Sequence, residues 1–175
     1  GRIYIAYEGG SALGVINPAD GLDNFSLGSI EMPAGASAML TDAEGDLWVL
    51  CTSGSLVEIN TSNNSIIRQL DGLTTAGFNE RMAIDLRGNK IYFLGGTNSS
   101  FTGRTAIFSV DLGASELAAT TFIDDGFSLY GIGINPENGE VYAGDNNAFQ
   151  STGTGLVYDE AGTELDQFGT GIGPN

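Results

Sequence analysis

The sequence predicts an all-β protein, a β-propeller of four-stranded antiparallel blades with about four blades in this chain. Three observations carry that prediction. An apolar-aromatic pair following a polar turn recurs as Ile3-Tyr4, Leu47-Trp48, Ile91-Tyr92 and Val141-Tyr142, with the aromatic positions 44, 44 and 50 residues apart. Each unit reads as four short strands separated by turns rich in Gly, Asn, Asp or Pro, which is the length and punctuation of propeller blades. No segment holds apolar residues at the 3.6-residue spacing of a helix. Sandwiches and barrels also use short strands, but they do not require recurrence at this interval.

With strands labelled A to D from the inner edge of a blade outward, residues 1–37 supply B, C and D of a first blade. Complete blades follow at 38–80, 81–128 and 129–168, and 169–175 lead into a closing inner strand. Strand A of each complete blade runs into a turn containing glycine: MLTDAEGD, AIDLRGNK and GINPENGE. Glycine and asparagine there supply the positive φ of a tight hairpin. Asp42, Asp85 and Asn135 hold equivalent places and are expected to cap those turns; the competing reading is metal binding. Third strands are expected at GVIN (14–17), LVEIN (56–60), IFSVD (107–111) and LVYD (156–159), and fourth strands near NFSLGSI, SIIRQL, LAATTFI and ELDQF. The recurring Tyr4, Trp48, Tyr92 and Tyr142 are assigned to the core, and Phe78 and Phe127 to packing between blades.

The tail GTGIGPN followed by the head GRIYIAY continues the motif seen in GIGINPENGEVY. The carboxyl end is therefore expected to lead into the inner strand that the first blade lacks. This makes the chain part of a seven- or eight-bladed ring, completed by a second half-propeller, either another copy or further blades. A closed four-bladed monomer is the alternative.

A chain of 175 residues with 41% apolar content can bury a core. Its 22 carboxylates against 6 basic residues give a net charge of −16, which repels phosphate backbones and anionic lipid, so no nucleic-acid partner is expected. No stretch approaches the roughly 20 apolar residues of a membrane-spanning segment. Cys51, the single cysteine, sits in LWVLC and is expected to pack as a small hydrophobe. Histidine is absent, which removes Ser-His-Asp and Cys-His nucleophiles and the usual zinc and copper sites. No enzyme activity and no cofactor are expected. Asp145-Asn146-Asn147 offers clustered oxygens that could hold calcium, without the alternating acidic spacing of a dedicated loop. Asp124-Asp125 reads as a solvated loop.

The B-to-C and D-to-A loops ring one mouth of a propeller. The two longest B-to-C loops, 95–104 and 145–155, each carry one phenylalanine among polar residues, a stacking platform with adjustable hydrogen bonding. The candidate ligand contacts are Phe101, Arg104, Phe149, Gln150, Asp145, Asn146, Arg81, Tyr130 and Tyr7. The plainer alternatives are that Phe101 and Phe149 anchor their own loops and that Arg81 and Arg104 pair with carboxylates.

The run SLYGIGINPENGEVYAGD and its continuation to GTGIGPN (128–175) resembles the last blade of the YncE-like bacterial surface propellers common in Bacteroidetes. The matching pattern is aromatic-Gly-Ile, a Pro-containing turn, a Val-Tyr strand, an Asp, a Gly-rich loop, an aliphatic-Tyr-Asp strand and a terminal Gly-Ile-Gly-Pro. NERMAIDLRGNKIYFLGG (79–96) resembles the blade before it. The resemblance implies an exported, often lipid-anchored propeller of seven or eight blades, in the periplasm, at the cell surface or outside the cell. Several such proteins hold a corrinoid or siderophore. The expected function is a non-catalytic cell-envelope protein that captures a small molecule or protein at the loop-lined mouth. The alternatives are an interaction module without small ligand, or a carboxylate-based or quinoprotein-like enzyme.

Overall fold

The computed structural model describes residues 1–7, 9–20, 27–74, 81–96 and 105–172. These form four separate antiparallel sheets, one of three strands and three of four. They divide into two compact units, Gly1–Gly72 and Leu73–Asn175. Among the described residues no helix is long and apolar enough to cross a membrane.

The first unit pairs β1 (Ile3–Ile5), β2 (Ala12–Ile16) and β3 (Ser29–Glu31) in one sheet and β4 (Ala36–Thr41), β5 (Leu47–Cys51), β6 (Ser55–Asn60) and β7 (Ser65–Leu70) in the other. Alternation along each strand sends Leu13, Val15, Ile30 and Met32 of the first sheet against Leu47, Val49, Cys51 and Val57 of the second. Tyr4 and Ala6 pack on the same cluster. Every residue of β5 is buried, which is why LWVLC reads as an unbroken apolar run rather than an alternating one. The outermost strand, SIIRQL, is largely exposed, Ile66 and Ile67 included.

Cys51 is buried, and burial, with the nearby Asp71 carboxylate adding to it, pushes its thiol up to about 11. Because the thiolate is the reactive form, native protein at pH 8 is expected to leave Cys51 unmodified by iodoacetamide over hours and to label fully in denaturant. Rapid native labelling, read by intact mass, would place Cys51 outside the core.

The second unit pairs β8 (Met82–Asp85), β9 (Lys90–Gly96), β10 (Thr105–Asp111) and β11 (Ala119–Ile123), then β12 (Leu129–Ile134), β13 (Val141–Asp145), β14 (Thr154–Tyr158) and β15 (Glu164–Gly169). Tyr92, Leu94, Ile107 and Ile123 meet Leu129, Val141, Ala143 and Leu156 between these sheets. Phe127 packs against this cluster, in line with its expected place between blades. Buried Thr105 stitches the two sheets: its N–H donates to the Phe127 carbonyl at 3.0 Å, and its hydroxyl accepts from Leu129 N at 2.6 Å. Phe78 lies outside the described residues.

One hydrogen-bond motif recurs at the turns. Asp42 Oδ1 accepts from the backbone N of Glu44 and Asp46 at 3.1 and 2.8 Å, Asp85 Oδ1 from Arg87 at 3.0 Å, and Asn135 Oδ1 from Glu137 at 3.0 Å. The residues ending the third strands do the same: Asn17 for Ala19, Asn60 for Ser62, Asp111 for Gly113 and Asp159 for Ala161. A carboxylate or amide oxygen two residues upstream mimics a backbone turn, so Asp42, Asp85 and Asn135 are turn caps. The turns themselves are looser than two-residue hairpins. The β12–β13 connection is closed by Asn135 N to the Glu140 carbonyl, with Gly139 alone left-handed at φ 77°.

One of the four recurring aromatics departs from the core assignment. Trp48 and Tyr92 are buried, at 0% and 1% exposure, and half-buried Tyr4 packs on the first cluster, but Tyr142 is 38% exposed. Tyr142 points away from Val141 and Ala143, the β13 residues that enter the cluster. Its face of the last sheet is turned away from β8–β11, and its hydroxyl donates to Glu140 Oε2 at 3.0 Å.

Candidate functional site

The best-organised surface cluster lies in the second unit, where the segment preceding β8, the start of β12 and the β13–β14 loop meet. The Arg81 guanidinium carbon sits 5.5 Å from the centre of the Tyr130 ring. Phe149 meets the same ring edge-on, with centroids 5.1 Å apart and planes at 79°. The result is a row of guanidinium, phenol and phenyl, with Arg81 and Phe149 exposed and Tyr130 half-buried. The ion pairs among the described residues are Arg68 with Glu58 and Arg87 with Glu160. Among the described residues, Arg81 is engaged by cation-π attraction to Tyr130.

Phe149 is presented by strained backbone. Asn147, Ala148 and Phe149 have φ of 45°, 54° and 57°, a left-handed run that costs about 1–2 kcal/mol per residue. Local polar groups hold it. Asp145 Oδ1 accepts from the backbone N of Ser128 and of Asn147, both at 3.1 Å. Asn146 Oδ1 accepts from Ala148 N at 2.8 Å, and the Asn146 carbonyl from Phe149 N at 2.8 Å. Asn146 N in turn donates to the Ser128 carbonyl at 3.0 Å, tying the loop to β12. Asn146 is fully buried, and its side-chain Nδ2 has no hydrogen-bond partner, an arrangement proteins rarely keep.

Of the candidate contacts, Arg81, Tyr130, Asp145, Asn146 and Phe149 converge here, with Gln150 exposed at the loop's end. Asp145 and Asn146 act as scaffold: their oxygens are directed at backbone N–H groups of the turn. Tyr7 belongs to the other unit, 71% exposed beside the Gly9-Gly10 turn. Phe101 and Arg104 lie outside the described residues. Asp124 and Asp125 are exposed, as a solvated loop requires.

A cavity of about 850 Å³ in the first unit, with Arg2, Tyr4, Met39, Thr41 and Thr61 among its lining residues, has no counterpart in the sequence reading. Arg2 donates to Asn64 Oδ1 at 2.8 Å and to the Ser62 carbonyl at 2.8 Å, and Tyr4 Oη to Asn64 Oδ1 at 3.0 Å. These pairs join residues about 60 positions apart, beyond the reach of any local motif.

No family model matches the chain, and no curated protein matches it. Solved structures do. A chain of the crystal structure of the mitotic checkpoint complex is similar over 95% of this chain, at 12% identity and TM-score 0.63. A chain of the crystal structure of the eukaryotic initiation factor is similar over 98%, at 8% identity and TM-score 0.60, and the U3-55K structure over 74%, at 9% and 0.53. This chain spans 46%, 43% and 38% of those chains, respectively, less than half of each. At such identities the likeness is one of fold, and the fold is that of β-propeller blades.

Proposed function

We propose that this chain is a non-catalytic binding module of the cell envelope, akin to YncE-like surface propellers, that captures a small molecule at the mouth formed by its B-to-C and D-to-A loops. The observation that carries the reading is the Arg81–Tyr130–Phe149 row on its strained turn. Backbone strain persists where surrounding structure over-determines it, and it clusters at ligand clamps. A flat apolar ligand bearing an acidic group suits the row: the rings supply stacking area and the guanidinium a fixed positive charge. The lack of histidine favours binding over catalysis, and no cofactor is assigned. The acidic composition and the resemblance of residues 128–175 support a periplasmic, cell-surface or extracellular location. The propeller is completed by a second half, which accords with a chain spanning less than half of the propellers it resembles.

Titration with corrinoids and with catecholate siderophores, followed by intrinsic fluorescence, tests this. Tyr130→Ala is expected to weaken binding about tenfold, the loss of one stacking contact of about 1.4 kcal/mol, with the unfolding midpoint nearly unchanged. Silence across the panel, or binding indifferent to Tyr130, would move the reading to an interaction module without small ligand. The presence of one similar chain in a multiprotein complex favours that second reading.

A further inference from the structure

Both units repeat one sheet-to-sheet contact. In the first, Tyr4 and Ala6 of the β1 segment pack on the cluster that holds Leu47 and Val49 of β5. In the second, Tyr92 and Leu94 of β9 pack with Val141 and Ala143 of β13. The aromatic row of one blade thus meets the aliphatic row of the next. Of the rows that these two contacts do not use, two are exposed. Tyr142, the equivalent aromatic of the last sheet, is 38% exposed, and Ile3 and Ile5, equivalent to Leu47 and Val49, are each 40% exposed.

The face around Tyr142 is shaped to receive side chains. Strand register aligns Gly131, Gly144 and Gly155 in one row across β12, β13 and β14, ending at Phe168 of β15. The Phe168 ring lies over Gly155, 2.4 Å from where its Cβ would stand, and beside it a groove of about 300 Å³ runs past Gly131 and Gly144 to Tyr142. Glycine in the middle of a sheet gives up packing and backbone entropy; Phe168 accounts for Gly155, and a close approach by another surface would account for Gly131 and Gly144.

We propose that this groove receives Ile3 and Ile5 of a second copy of the chain, so that copies join head to tail through a third instance of the same blade contact. The inference rests on the reading that a second half completes the propeller, and it names that half. The chain itself carries both rows the contact needs, and two copies supply about the length of the solved propellers it resembles. A net charge of −16 per copy opposes association, so the contact forms at physiological salt, where the Debye length is about 8 Å.

Sedimentation velocity at 0.15 M salt is expected to show species of at least twice 18.1 kDa. Ile5→Asp and Gly133→Asp should each weaken association at least tenfold. Gly133 opens onto empty space, with nothing within 4 Å of an added Cβ, so its variant keeps the fold by circular dichroism. Mixing the two variants should restore association, because one copy retains a sound groove and the other sound isoleucines. A monomer at 100 µM overturns the proposal. If that monomer binds a hydrophobic dye that Gly133→Asp abolishes, the face awaits different blades and only the second copy fails; if it binds none, the need for a second half fails as well.

Discussion

Replacing Trp48 by alanine is expected to remove about 3–5 kcal/mol of folding stability. The indole is wholly buried, at 0% exposure, and it is not merely filling space. Its Nε1 donates to Asp42 Oδ2 at 2.8 Å, while Asp42 Oδ1 caps the β4–β5 turn. The Arg68 guanidinium lies 5.4 Å from the ring centre and is ion-paired with Glu58, which is itself buried. Truncation therefore opens a cavity, strips a carboxylate of a donor and removes the surface against which Arg68 rests. Trp48→Phe keeps much of the ring and should cost about 1.5–3 kcal/mol, the scale of one hydrogen bond to a charged group. Urea unfolding must be followed by circular dichroism, since this is the only tryptophan. A loss below 1 kcal/mol for alanine would show that the repeat's largest side chain does not anchor its blade.

Gly95→Ala should destabilise by at least about 2 kcal/mol, through overpacking rather than a cavity. A Cβ at Gly95 would stand 2.3 Å from the Thr74 carbonyl oxygen and 2.8 Å from the Phe108 ring. Neither neighbour can yield easily. Gly96 N donates to the Thr74 carbonyl at 3.3 Å, and Phe108 is stacked on Phe93, with centroids 5.5 Å apart. Gly169→Ala is the control, because its added methyl group meets nothing within 4 Å, and its change should stay within about 0.5 kcal/mol. Equal shifts in the two denaturation midpoints at constant slope would refute the steric account.

Much of this architecture was legible from local chemistry. A short Asx residue at a strand end can satisfy backbone N–H groups two positions on without help from elsewhere, so Asp42, Asp85 and Asn135 announced their turns. The exact turn geometry was less legible, because the left-handed residue is Gly45, Asn89 or Gly139 according to each loop's own closure. The candidate site was half visible: the composition of the loops marked Arg81, Tyr130 and Phe149, but no pattern says that a guanidinium will lie over one particular ring.

The sequence by itself determined the strand period, the turn caps and the presence of one aromatic per blade, because each follows from pleat alternation and contacts within a few residues. Only the tertiary structure decided which of those aromatics are buried. Trp48 and Tyr142 hold the same place in the repeat, yet one is enclosed and the other exposed. Burial depends on what covers a sheet face, and that covering comes from residues dozens of positions away, so no local pattern encodes it.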